Sequence, residues 1–104
     1  MDHGSRIRNA ATLARSFETG AVVRTADDGH SGTVGGAAAT EAFLRHVSLW
    51  AAQWTLSCPE FQAAGLAELD ADLGALEREG LAAWVEPDPG AGGAIVVRVG
   101  AARR

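Results

Sequence analysis

The sequence predicts an α+β domain with an N-terminal hairpin, two or three helices and a C-terminal two-stranded hairpin. Apolar residues recur at helical spacing through the middle of the chain, and a strand pair alternates near its end. Glycine- and proline-rich turns separate these segments. The 104 residues suffice for one modest core. We expect residues 21–104 to form that domain, and residues 1–20 to be a basic segment that is a short helix or disordered.

The first expected elements are a helix and a hairpin. Ser5 is placed to cap a helix from Arg6 to Phe17, because positions 7, 10, 14 and 17 then share one apolar face. Asp28-Gly29 is a hairpin-turn signal, with strand-forming residues at 22–26 before it and a second run at 30–34 after it. These two runs predict the N-terminal hairpin.

Two helical segments follow, each with an apolar stripe. Thr40 is expected to cap the first, whose stripe consists of Phe43, Val47, Trp50 and Trp54. Residues 57–60 read S-x-x-E and predict a capping box for the second, in which leucines recur at positions 66, 69, 73 and 76. Gly65 is a candidate turn inside this segment, and Gly80 is expected to end it. We predict that both stripes are core.

The last elements are two strands. Ala83–Val85 and Ile95–Val99 are joined through residues 87–93, which comprise two prolines, one aspartate, three glycines and one alanine and favour a hairpin loop. The alternation places Ile95, Val97 and Val99 on the core face and Arg98 on the other.

Residues 41–99 together resemble the second half of a winged helix-turn-helix domain. The features that carry the resemblance are a turn at Gly65-Leu66, a helix ending in Leu76-Glu77, and Gly80-Leu81 before a two-stranded wing. This resemblance implies a recognition helix over the late sixties and seventies and a DNA-binding fold. Fold alone does not assign function.

The charges oppose the binding of DNA by that face. The exposed positions of the expected recognition helix include Glu68, Asp70, Asp72 and Glu79, with Arg78 the only base. Residues 25–97 hold eleven acidic residues against two arginines, a net charge of −9. DNA readers neutralise phosphates with lysine and arginine, so this part of the chain is expected to repel polyanions. The basic residues lie toward the two ends; those that keep DNA as a partner are Arg6, Arg8, Arg15, Arg103 and Arg104.

No motif identifies a chemistry. Cys58 is the only thiol and lies at a predicted helix N-terminus, where the dipole favours thiolate, but no base is positioned by its spacing. The three histidines match no metal-ligand spacing, so we expect no metal and no cofactor. The glycine-rich stretch 29–36 lacks the lysine of a P-loop and is read as a turn.

We therefore expect a non-enzymatic module that binds another protein, one that is basic if the acidic helix makes the contact. The expected contact residues are Trp50, Trp84, Glu68, Asp72 and Glu79, since tryptophan often anchors interfaces. The alternative is a winged-helix transcription regulator that uses its basic tails on DNA. An enzyme with Cys58 as nucleophile comes third. The composition is typical of a bacterial cytoplasmic protein with no membrane segment, and a homodimer is left open.

Overall fold

The computed structural model describes residues 5–21, 23–27, 34–88, 90 and 93–102. A short 3-10 turn, Trp54–Leu56, links the second and third helices. In chain order the elements are β1 (Ser5–Arg6), α1 (Ala10–Glu18), β2 (Val23–Asp27), α2 (Val34–Gln53), α3 (Pro59–Arg78), β3 (Leu81–Pro87) and β4 (Ile95–Ala101). The predicted α+β class is confirmed.

The strands form one sheet in the order β1-β3-β4-β2. β3 is antiparallel to β1 and β4, whereas β2 is parallel to β4. This mixture follows from the connections, because each element from β1 to β4 reverses the direction of the one before. The antiparallel pair α2–α3 returns the chain between β2 and β3, so β1, β2 and β4 point one way and β3 the other.

The predicted N-terminal hairpin is not confirmed. β2 covers most of its first run, but it pairs with β4, with Val23 opposite Ile95 and Asp27 opposite Val99. Residues 30–33 of the second run lie outside the described residues, and Val34 begins α2. The C-terminal strands are antiparallel neighbours, yet they form the centre of a four-stranded sheet and not an isolated hairpin. The valine-rich β4 is buried at Val97 and Val99, which favours a central position with a strand on each side.

The core lies between the helices and one face of the sheet. The predicted aromatic stripe of α2 is confirmed as core, since Phe43, Val47, Trp50 and Trp54 are all buried. In the leucine stripe of α3, Leu69 and Leu76 are fully buried, and the leucines at 66 and 73 pack partly buried against them. Residues 7, 10, 13, 14 and 17 add a third wall, so α1 contributes to the same core.

The start of the chain differs from the expected helix. Arg6 lies in β1 opposite Trp84, and the Ile7 N–H donates to the Ala83 carbonyl at 2.9 Å. The helix begins only at Ala10, and the Asn9 that precedes it makes no side-chain cap. Edge pairing with β3 therefore prevails over a local helix cap at Ser5, because it extends a sheet whose inner face is already buried.

Two other predicted caps are wrong. Thr40 lies inside α2, which begins six residues earlier, and its buried hydroxyl has no hydrogen-bond partner among the described residues. Ser57 does not cap α3, because its hydroxyl donates back to the Gln53 carbonyl at 2.9 Å. Cys58 is the N-cap and contributes no side-chain hydrogen bond. The predicted end is confirmed: Gly80 has φ of 76° and follows the last turn in the left-handed conformation.

Gly65 is not a turn, since α3 is continuous from Pro59 to Arg78. A Cβ built at Gly65 would lie 2.5 Å from Cε2 of the Trp50 ring. The glycine therefore serves packing: it allows the indole of α2 to lie against the backbone of α3. Gly74, in the same helix, has no such neighbour, since a Cβ there would meet only the Arg78 guanidinium at 3.5 Å.

The two glycines provide a matched test of this contact. Gly65→Ala should lower the free energy of unfolding by about 1–3 kcal/mol, because the rigid indole must be displaced. Gly74→Ala should raise it by about 0.5–1 kcal/mol, because alanine is the better helix former and has room. Urea unfolding of both variants measures the difference. Equal effects at the two positions would contradict the packing role of Gly65.

Candidate functional site

Three acidic residues of α3 are engaged within the molecule. Oδ1 of Asp70 accepts the backbone N–H of Ala10 at 2.7 Å, which gives the first turn of α1 its cap from another helix. Oε1 of Glu68 accepts the indole N–H of Trp50 at 2.9 Å. Oδ2 of Asp72 lies 2.6 Å from Nδ1 of His46. The acidic face of α3, which the sequence predicted as a contact surface for a partner, thus joins α3 to α1 and α2.

His46 lies between two carboxylates of α3. Besides Asp72 on Nδ1, its Nε2 is 3.8 Å from Oε2 of Glu68, and its side chain is one-quarter exposed. Among the described residues, no group of three or more histidine, cysteine, aspartate and glutamate side chains is placed to hold a metal ion. We read this cluster as a polar clamp between α2 and α3.

The two expected tryptophan anchors lie in different environments. Trp50 is 8% exposed, and its ring packs edge-on against Trp54 at 5.9 Å between centroids. Trp84 is half-buried on the outer face of the sheet, where its indole N–H donates to Oε2 of Glu86 at 2.5 Å. Arg98 donates to the other oxygen of Glu86 at 3.0 Å. Only Trp84 therefore offers part of its ring on a surface.

The basic residues are dispersed. Arg6 and Arg8 are exposed and line a cavity of about 450 Å³ that they share with Asp70 and Glu77. Arg15 is exposed near the end of α1, beside a separate cavity of about 390 Å³ between α1 and the start of α3. The expected contacts Arg103 and Arg104 lie outside the described residues. The described residues bring no more than two of these arginines to one cavity, and acids accompany them.

Cys58 is exposed at the N-terminus of α3. A nucleophile needs a positioned base, and His46 is held by Asp72 about two helical turns before the end of α2. His30, the other histidine considered for it, lies outside the described residues. The described residues therefore do not assemble a thiolate–histidine pair at Cys58.

The feature that sequence reasoning missed is an apolar surface where α2 meets α3. Leu49, Leu56 and Phe61 are 49%, 84% and 64% exposed. The exposed alanines at positions 52 and 64 follow Leu49 and Phe61 by three residues, and Ala67 follows Ala64 by three, so helical spacing places them on the same faces. We call these six residues the corner surface: Leu49, Ala52, Leu56, Phe61, Ala64 and Ala67. Between Arg45 and Glu68 the sequence holds only one residue with a permanent charge, Glu60.

Helical geometry places this surface on the solvent side of the α2–α3 pair. Residue 49 lies three positions after His46, and residue 61 lies four positions before Gly65. His46 and Gly65 both contact the opposite helix, so Leu49 and Phe61 lie beside that seam, rotated outward. No motif marks this surface in the sequence. The signal that could have predicted it is the presence of large apolar residues outside the predicted core stripes, in a segment with few charges.

The cap that α3 provides to α1 should be measurable. Asp70→Ala is expected to lower the free energy of unfolding by about 1 kcal/mol, since the Ala10 N–H loses its acceptor. Asp70→Asn keeps an oxygen that can accept the Ala10 N–H, so it should lower the free energy of unfolding by less. Urea unfolding, with hydrogen exchange at the Ala10 amide, measures both. Unchanged exchange at Ala10 in the alanine variant would refute the cap.

The two tryptophans should respond differently to phenylalanine. Trp50→Phe is expected to lower the free energy of unfolding by about 2 kcal/mol, because it removes the hydrogen bond from the indole N–H to Glu68 and leaves a gap beside Gly65. Trp84→Phe, on the outer sheet face, should cost less than about 1 kcal/mol. Chemical unfolding compares them. A larger loss at Trp84 than at Trp50 would mean that the outer face is covered.

No helix in the described part of the chain is both long enough and apolar enough to cross a bilayer. In the comparisons with known proteins, no family model matches the chain, and neither a curated protein nor a solved structure matches it. The function must therefore be inferred from the surfaces themselves, of which the corner surface departs furthest from an ordinary solvated face.

Proposed function

We propose that this chain is a non-enzymatic protein-binding module whose contact surface is the corner surface. The observation that carries the proposal is the exposure of Leu56 and Phe61, at 84% and 64%, on a stretch with one permanent charge. Large exposed apolar patches with a polar rim mark interaction sites on globular proteins. Burying this surface would remove apolar area from water, at about 25 cal/mol per Å² before the costs of association.

The charged residues around the corner surface support the same proposal. Arg45, Glu60 and Glu68 are exposed around the corner surface, whereas its interior is alanine, leucine and phenylalanine. An apolar centre depleted of charge and a charged rim are the usual anatomy of protein interfaces. Glu68 and Asp72, expected earlier to meet a basic partner, have internal partners that reduce what they can offer. Shape and apolar contact are thus proposed to dominate over charge attraction.

The alternative remains a winged-helix regulator that binds DNA. The order α3, Gly80-Leu81, β3 and β4 agrees with the resemblance from the sequence. Against it, α3 is continuous where the resemblance requires a turn at Gly65, and β2 is parallel to β4. The exposed end of α3 carries Glu77 and Glu79 beside Arg78, so it offers phosphate little attraction.

Site-specific photocrosslinking tests the proposal. A benzophenone amino acid at position 61, introduced in cells, should give covalent adducts with protein, because that ring is at the centre of the contact. The same group at position 79, exposed directly after the end of α3, is the matched control and should give few adducts. Adding Leu56→Asp to the position-61 chain should abolish its adducts by placing a charge in the contact.

Two results would contradict the proposal. One is an equal yield of adducts at positions 61 and 79, which indicates chance encounters. The other is a position-61 yield that Leu56→Asp leaves unchanged while circular dichroism shows the fold intact. A parallel experiment titrates the protein with duplex DNA at low salt. Binding that weakens steeply as salt rises would favour the alternative, a winged-helix regulator that binds DNA.

A further inference from the structure

We propose that the corner surface binds a second copy of this chain, which makes the protein a two-fold symmetric dimer. The inference rests on the proposed function and names the partner for the same surface. A two-fold dimer places one patch against itself, so the patch must be self-complementary in shape and in charge. Both properties can be read from the exposed residues of α2 and α3.

The shape contains both projections and recesses. Leu49, Leu56 and Phe61 are large and exposed, and the alanines at 52, 64 and 67 are small, exposed residues of the same two helices. A two-fold axis that lies in the contact plane would set this surface against its own copy, where the alanines leave room for the larger side chains. Alanine also permits close approach of helices, which pack at about 8–10 Å between axes.

The charges favour the same arrangement. The whole chain has a net charge of −4, and much of α3 beyond Ala67 is acidic, so most faces of two copies repel one another. The corner surface has no charge inside it. Arg45 and Glu60 are exposed at its opposite ends, and neither has an ion-pair partner in the described part of the chain.

The two-fold axis brings these ends together. Arg45 lies one helical turn from Leu49, away from the α2–α3 turn, whereas Glu60 lies at that turn, beside Phe61. A two-fold axis that lies in the contact plane, perpendicular to the line from Arg45 to Glu60, exchanges the ends, so Arg45 of one copy faces Glu60 of the other. Each dimer then has two such pairs at its rim, where they select the orientation more than they add affinity.

The interface is small. Twelve residues of each helix span about 18 Å, and two adjacent helices are about 20 Å wide. That footprint of about 360 Å² is less than half of the 800 Å² per partner, roughly, that specific interfaces usually bury, so the contact belongs with weak, transient interfaces. We therefore expect a dimer that dissociates on dilution, with a dissociation constant in the micromolar range, about 10⁻⁶ to 10⁻⁴ M.

Sedimentation equilibrium over a concentration series tests the inference. The weight-average mass of the wild type should rise from 10.7 kDa toward twice that value as concentration increases. Phe61→Asp should remain monomeric, with Leu56→Asp as a second variant should the first not fold. Arg45→Glu and Glu60→Arg should each weaken association about tenfold, since both copies carry the change and both rim pairs become like-charged. The double variant should restore it, because the pair is rebuilt with its signs exchanged.

Glu79→Arg is the control for Glu60→Arg, because it makes the same charge change outside the corner surface and should leave association near the wild-type level. A wild type that stays at 10.7 kDa throughout overturns the dimer, as does a double variant no better than the singles. Adducts at position 61 with a different protein, in a chain that remains monomeric, would overturn the dimer and leave the proposed function standing. Absence of any position-61 adduct would overturn both.

Discussion

The fold depends on the close contact between Trp50 and Gly65. The indole lies against the backbone of α3, and its N–H is satisfied by Glu68 one turn further along that helix. This contact fixes the separation and the rotation of α2 and α3. Their rotation in turn directs Phe43 and Leu69 into the core above the sheet, and it directs Leu49 and Phe61 to solvent. The core and the proposed interaction surface are thus consequences of one packing event.

Three acidic residues of α3 hold the helices together, although a helix rich in carboxylates is usually only a solvated surface. A row of carboxylates on a helix is usually a solvated face, but here it is divided among three neighbours: Asp70 serves α1, Glu68 serves an indole of α2, and Asp72 serves His46. Hydrogen bonds to charged acceptors are stronger than neutral ones, so these contacts orient the helices as well as joining them. The polar clamp occupies the half of the α2–α3 seam farther from the turn, and the corner surface occupies the half near it.

Local periodicity predicted the elements whose core face is set by neighbours in sequence. The stripes of α2 and α3 were correct, as was the core placement of Val97 and Val99 in β4, because periods of 3.6 and 2.0 residues bring such side chains to one face regardless of context. Ile95, predicted on the same core face, is only half-buried and lies outside the core cluster. The predictions of N-terminal caps failed. Ser5, Thr40 and Ser57 can each bond locally in several conformations, and sheet pairing or helix continuation decided among them. Gly65 was assigned to a turn because no sequence pattern distinguishes a glycine that turns from one that admits a ring.

The sequence by itself determined the α+β class, the two buried stripes and the acidic balance, since these follow from composition and from periodicity within one segment. Only the tertiary structure decided that β2 pairs with β4, that three α3 carboxylates bond to the other two helices, and that Leu56 and Phe61 are exposed. The physical reason is that these outcomes depend on contacts between residues far apart in the chain. Residue 70 meets residue 10 and residue 65 meets residue 50, and neither meeting leaves a local mark in the sequence.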